Sequence, residues 1–226
     1  MSSLSVGRDD ARSIVANGLG PILLARGFRA LPSGLRFKRA VPEGTQEIDV
    51  ILAMNPPYAR GTIHFLPHYT WSLPKVGAVA RDMIGGNSRI GRINDVVYFG
   101  QLASLSYKQE KADWYFGEHS QDPELTRQQA EFFARWVAPF CDEYKSAEDL
   151  VKGYFSQDPR LYMDLYEVPS VAAALIILGR RDQARSLIES NQEKAENLHC
   201  SLQPLLEYID RGGRPEGDFH TEDVVE

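Results

Sequence analysis

From Gly27 to about residue 120 the apolar residues of this chain repeat with one period and beyond it with another, and this change of period bounds what the chain can fold into. In the first stretch, Leu35-Arg36-Phe37-Lys38-Arg39-Ala40 mostly alternates, Pro42-Glu43-Gly44 reads as a turn, and Ile48-Asp49-Val50-Ile51-Leu52-Ala53-Met54 follows. Side chains of a strand point to opposite faces in turn, so this pattern predicts a two-stranded hairpin. A third extended segment runs from Thr62 to Leu73 after the breaker Asn55-Pro56-Pro57, and Pro67 places it at a sheet edge or a bulge. Asn94 to Ser106 supplies a fourth strand and Asp113 to Phe116 a short fifth. One helix comes before them: Ile14, Leu19, Ile22 and Leu23 share a face, Asp9 or Asp10 is placed to cap it, Gly18, Gly20 and Pro21 weaken its middle, and Gly27 ends it.

After Gln121-Asp122-Pro123-Glu124 the period becomes helical. Asp122 can cap, Pro123 suits the first helical position, and Leu125, Ala130, Phe133, Trp136, Val137 and Phe140 follow at helical spacing. Further helices are expected over Ala147 to Phe155, Pro169 to Leu178, Arg181 to Gln192 and Asn197 to Ile209. The predicted class is α+β: an N-terminal helix with an antiparallel sheet of four to five strands over 1–120, then a helical bundle over 121–211 packed on it as one unit. A mobile acidic tail, 212–226, completes the chain.

Charge divides along the same line. Residues 1–100 carry 12 Lys and Arg against 7 Asp and Glu, a net +5, whereas residues 101–226 carry 13 against 24, a net −11. An acidic second half argues against a chain that wraps nucleic acid, where neutralised phosphates supply most of the affinity, and suits a basic partner better. No apolar run approaches the roughly 18 residues of a membrane-spanning helix, and Met1 to Asp10 lacks the basic and apolar blocks of an export signal, so the expected address is the cytoplasm.

Motifs that would carry catalysis are sparse. Gly-x-Ser-x-Gly, His-Glu-x-x-His and a dinucleotide fingerprint are all missing from the sequence, so no catalytic residue and no cofactor are assigned and the chain is expected not to be an enzyme. His64 and His68 fall on one face of a strand, but four positions span about 13 Å at roughly 3.3 Å each, too far for one ion, and no metal site is assigned. Cys141 and Cys200 have no Cys-x-x-Cys spacing and are expected to be structural. The loop Gly85-Gly86-Asn87-Ser88-Arg89-Ile90-Gly91-Arg92 offers backbone amides with Arg89 and Arg92, a candidate anion site without the spacing of a P-loop.

Two features point toward protein binding. Tyr154, Phe155, Tyr162 and Tyr166 mingle with Asp158, Asp164 and Glu167, and aromatic anchors beside carboxylates suit an interface for a cationic protein. Ala172-Ala173-Ala174-Leu175-Ile176-Ile177-Leu178-Gly179-Arg180-Arg181-Asp182-Gln183-Ala184-Arg185 looks like one tetratricopeptide-type helical hairpin, with no second copy at a 34-residue spacing.

The helix ending in Leu23-Leu24-Ala25-Arg26-Gly27-Phe28-Arg29, followed by Leu35-Arg36-Phe37-Lys38-Arg39 and Glu47-Ile48-Asp49-Val50-Ile51-Leu52, resembles the family catalogued as domain of unknown function 4304, over about residues 10–75. Met54-Asn55-Pro56-Pro57 departs from the polar stretch that family carries there. The resemblance implies a bacterial cytosolic α+β domain of a kind that includes candidate immunity proteins encoded beside secreted toxins. The expected function is therefore a bacterial immunity protein that neutralises a cognate, basic protein toxin through an acidic and aromatic surface. A non-catalytic scaffold or adaptor built on the tetratricopeptide-like hairpin is the alternative.

Overall fold

The computed structural model describes residues 3–85, 94–106, 114–117, 123–161 and 163–213. Its contacts gather into two compact units, and the chain crosses between them more than once: one unit comprises Met1–Trp71 and Tyr98–Lys145, the other Ser72–Val97 and Ser146–Glu226. The boundary expected at 120/121 followed period and charge. The contacts instead assign 123–145 to the first unit and a stretch of the N-terminal half to the second.

The α+β class holds, with a six-stranded sheet. Helix α1, Ser3–Gly18, gives way at Leu19 to the short α2, Gly20–Leu24. Asp9 and Asp10 thus lie inside α1 and do not cap it. Strands β1 (Arg29–Ala30), β2 (Arg36–Val41), β3 (Gly44–Met54) and β4 (Thr62–Ser72) follow, and then β5 (Val96–Gln101) and β6 (Trp114–Gly117). The expected hairpin is present as β2 and β3, joined by Pro42-Glu43, with Val41 opposite Gly44 and Arg36 opposite Asp49.

The strand expected over Asn94 to Ser106 ends at Gln101, where the chain tightens into a 3-10 turn, Leu102–Leu105. The sheet order is β1-β2-β3-β4-β5, with β6 also paired to β4. β4 is therefore an interior strand, and the edge position expected from Pro67 is corrected. Pro67 cannot donate a ladder bond, and the described β4–β6 pairs run from Thr62 to Phe65, so none of them calls on it.

Along β4, Ile63, Phe65, Pro67, Tyr69 and Trp71 are buried on one face. In the first unit that face meets a continuous helical run of α4 (Pro123–Phe132), a π-helical segment (Phe133–Val137) and α5 (Ala138–Glu143). Tyr69 and Tyr98 pack on Phe140 at 5.3 and 5.8 Å between ring centroids, Trp71 lies 5.8 Å from Tyr144, and Trp114 lies 5.5 Å from Phe132. The π segment has a local cause. Pro139 has no N–H for the carbonyl four residues back, and a wider turn just before it lets the helix pass and resume.

The end of α5 is held by a buried arginine. Arg39 of β2 donates from Nε to Gln46 at 2.6 Å, from Nη1 to the Arg26 carbonyl and to Asp142 at 3.0 Å each, and from Nη2 to the Cys141 carbonyl at 2.5 Å. Gln46 donates in turn to the carbonyls of Cys141 and Tyr144. Carbonyls at the end of a helix have no partner within it and carry the negative end of its dipole, so a cation and an amide placed there satisfy both needs. Arg39 also stacks over Phe28 at 4.7 Å.

The second unit is built around α7, Val168–Ile177, whose residues Val168 to Leu175 are all buried. Around it lie α3 (Pro74–Ile84), α6 (Ala147–Phe155) and α8 (Arg181–Ser190), with α9 (Gln192–Asn197) after α8 and α10 (Gln203–Asp210) against α3 and α8. Of the helix expected over Asn197 to Ile209 only the part from Gln203 forms, as α10, because α9 ends at Asn197, the chain turns at His199, and Pro204 sits in the first turn of α10. Gly77 of α3 is spaced for close approach: a Cβ there would sit 2.7 Å from the Asn94 carbonyl oxygen and the Asp95 Cα.

Five of the described helices end alike. After α7, Gly179 donates to Ile176 and Arg180 to Leu175, with Gly179 left-handed at φ +74°, the paired bonds of a Schellman motif. The same bonding recurs at Gly27, Gln157, His199 and Gly212. Gln157 (φ +53°) and His199 (φ +56°) hold that conformation with a Cβ, at a cost of roughly 1–2 kcal/mol.

Gln157→Gly and His199→Gly should each therefore raise unfolding stability in urea by about 1 kcal/mol, net of glycine's extra unfolded-state freedom. Arg39→Ala removes the donor to Gln46 Oε1 and to the Arg26 carbonyl and one of the two donors to the Cys141 carbonyl, while Asp142 keeps Arg26 and Lys145, and should lower stability by about 2–3 kcal/mol in the same assay.

Candidate functional site

The segment Tyr154 to Glu167 begins in the last turn of α6 and ends in a 3-10 turn, Leu165–Glu167, that runs into α7. Ser146 starts α6 by accepting from the Asp149 amide at 3.3 Å. The Gln157 turn then reverses the chain, and Asp164 and Glu167 form a capping box at the entrance to α7. In that box Leu165 donates to the Asp164 carboxylate at 2.8 Å, and the Asp164 amide donates to Glu167 Oε2 at 2.7 Å.

Much of the expected acidic surface is consumed locally. Asp158 is closed on Arg160, with Nη2 to Oδ2 at 2.5 Å and both side chains about nine-tenths buried, so it is not offered to a partner. Asp164 binds Lys194 of α9, and that ammonium together with the Leu165 amide holds its carboxyl below the usual aspartate range. Glu167 is half-buried, and desolvation raises its carboxyl above the usual glutamate range against the opposing pull of the backbone amides. Tyr154 is brought beside this group: its hydroxyl meets Asn191, burial raises its phenol, and Lys194, Asp164 and Glu167 all lie within its field.

The aromatic members divide in two. Tyr154 is half-buried and meets Phe155 edge-on at 5.6 Å. Phe155 and Tyr166 are 54% and 57% exposed. Tyr162 lies outside the described residues, as do Arg89 and Arg92 of the candidate anion loop. What the fold assembles is two exposed rings beside one half-buried carboxylate, braced by ion pairs and a cap. The second unit as a whole carries 12 Lys and Arg against 18 Asp and Glu, while the first carries 13 against 13.

His64 and His68 do share the outer face of β4, as their spacing required, but their rings turn to separate partners. Tyr58 Oη lies 2.8 Å from His64 Nδ1, and His68 Nδ1 lies 2.9 Å from the Leu66 carbonyl. Among the described residues no group of three or more His, Cys, Asp and Glu side chains is placed to hold a metal. Burial pushes the Cys141 thiol up to about 12, which keeps it protonated and unreactive at neutral pH. Among those residues no helix is long and apolar enough to cross a membrane.

The helical hairpin expected around Gly179 is present as α7 and α8, but the apolar surface of α7 is spent inside its own unit. A feature that sequence reasoning passed over is the outer sheet face of the first unit, where Ile51, Tyr58, Phe99 and Tyr115 are 46%, 66%, 64% and 41% exposed. Its signal was available in the odd positions of β3 and the even positions of β4, which carry Ile51, His64, Leu66 and His68 opposite the core.

No protein-family model, no curated protein and no solved structure matches the chain.

The raised carboxyl of Glu167 gives a signed test. The folded state holds that proton more tightly than the unfolded chain, so this group's contribution to stability declines as pH rises from its ordinary value, near 4.5, through the folded one. Glu167→Gln should remove that decline, so that the variant gains on the wild type as urea midpoints are followed upward from about pH 4.5.

Proposed function

We propose that the chain is a non-catalytic binding protein that neutralises a basic protein toxin, with Phe155 and Tyr166 as its anchors. The observation that carries this is the exposure of those two rings on the more acidic of the two units. Binding energy at protein interfaces concentrates in a few large side chains that become fully desolvated, and tyrosine is favoured among them. A net charge of −6 on the second unit speeds encounter with a cationic partner, while ring burial slows release.

The carboxylates divide the labour. Asp158, Asp164 and Glu167 fix the shape of the Tyr154-to-Glu167 segment, so the attraction comes from the unit's overall excess of acid. The immunity role itself comes from the residue pattern of 10–75, which no family model matches. The adaptor alternative would have to use the outer side of α8, since α7 is enclosed.

The product of the neighbouring gene should copurify with the chain, and Phe155→Ala with Tyr166→Ala should weaken that complex on the order of 100-fold in a calorimetric titration without lowering the melting temperature. A neighbour that is not a toxin and forms no complex ends this proposal. A complex that tolerates both substitutions moves the contact elsewhere.

A further inference from the structure

The outer face of the first unit's sheet carries two ridges of stacked rings. His64 lies against Tyr115, its register partner on β6, with ring centroids 4.4 Å apart and planes 13° from parallel, and Tyr58 meets the same imidazole edge-on at 5.7 Å. Four residues along β4, His68 lies against Phe99 of β5 at 5.2 Å and 9°. Four positions on a strand separate the ridges by about 13 Å. Leu66 of β4 lies between them, and Ile51 of β3 shares the face.

Such rings could have been turned inward. Tyr98 and Trp114, their immediate neighbours on β5 and β6, are buried against the helices. The face is also wider than its rings. On β2 and β3 it continues as Arg36, Lys38, Glu47 and Asp49, with Arg36 paired to Glu47 and 3.7 Å from Asp49, and Lys38 opposite Glu47 in the ladder.

We propose that this face is a two-fold interface between copies of the chain. Three observations choose a second copy over other occupants. First, the rim is self-complementary, two cations beside two carboxylates, so a two-fold rotation can set either sign against its opposite, as an isologous contact requires. Second, the unit that bears the face has no net charge, 13 Lys and Arg against 13 Asp and Glu, so copies meeting there do not repel, and the positive field that would draw a nucleic-acid strand is lacking.

Third, the exposed surface is of the right order. Side chains of this size offer up to about 150–250 Å² each, so four at this exposure present about 400 Å² of apolar surface per copy. A patch of that order is about the largest a typical monomer leaves and is often functional, and the charged rim extends it toward the roughly 800 Å² a side of a standard interface. Stacking of Phe99 and Tyr115 on the histidines holds the rings upright before contact, which reduces the side-chain freedom lost on association.

The test is the mass of the full chain in solution, by sedimentation equilibrium across the micromolar range. The wild type should pass from one chain to two as concentration rises. Phe99→Lys and, separately, Ile51→Lys should each weaken that association at least tenfold, with circular dichroism and melting temperature unchanged because both side chains point to solvent. If either fails to fold, Tyr58→Lys serves in its place.

A chain that remains single at every concentration overturns the proposal. So does a dimer indifferent to these substitutions, which would be joined elsewhere. A chain that stays single while the same substitutions abolish binding of a single-stranded oligonucleotide also overturns it, and assigns the face to nucleic acid. None of these measurements involves a toxin, so their outcome is independent of the role proposed for Phe155 and Tyr166.

Discussion

A single guanidinium decides how the first unit is put together. Arg39 leaves β2 on the core side of the sheet, where a charged group would ordinarily be excluded, and it is tolerated because every direction it points in ends on an acceptor. Two of those acceptors belong to residues near the end of α5, more than a hundred positions later in the chain. The arginine thereby sets where the run from α4 to α5 stops relative to the hairpin. Phe140 and Tyr144, one turn apart on that run, are then carried to Tyr69, Tyr98 and Trp71, so a polar anchor establishes the register in which an aromatic core can close. Asp142 and Gln46 make the burial sustainable, because a lone buried cation would cost several kcal/mol.

The parts of the fold that could be read from the sequence are those whose signal is local. The β2–β3 hairpin declares itself by alternation around Pro42-Glu43-Gly44, α6 by Ser146 and its apolar spacing, and the α7–α8 turn by Gly179. Helix α3 was not legible, because Gly77 and the run of small and β-branched side chains in Pro74-Lys75-Val76-Gly77-Ala78-Val79-Ala80 blur its helical spacing, although Pro74 suits a first turn. The reason for Gly77 lies in the backbone at Asn94 and Asp95, which no local pattern contains. The place of Pro67 is likewise set at long range, because β4 gains its interior position by pairing with strands far along the chain.

The site was legible in composition but not in the allocation of its groups. Aromatic and acidic residues between Tyr154 and Glu167 could be seen to cluster, but not that Arg160 would close on Asp158, or that Lys194, from a helix some thirty residues away, would take Asp164. Sequence proximity of carboxylates says little about surface potential when the fold supplies a cation to each. Rings are different, since nothing nearby cancels an exposed phenyl, and Phe155 and Tyr166 survive as candidate contacts for that reason. The sheet face went unread because its members, Ile51, Tyr58, Phe99 and Tyr115, come from four separate segments that only β-pairing unites.

Because Ser72–Val97 and Ser146–Glu226 make up one unit with the whole of 98–145 lying between them in sequence, the order of synthesis matters. As the chain leaves the ribosome, α3 emerges with Val76, Ala80 and Met83 uncovered, and the helix that will shelter them does not begin until Val168. At about 5–20 residues per second that interval lasts several seconds, far longer than a helix takes to form. The nascent protein must carry an apolar, unpaired helix through that wait.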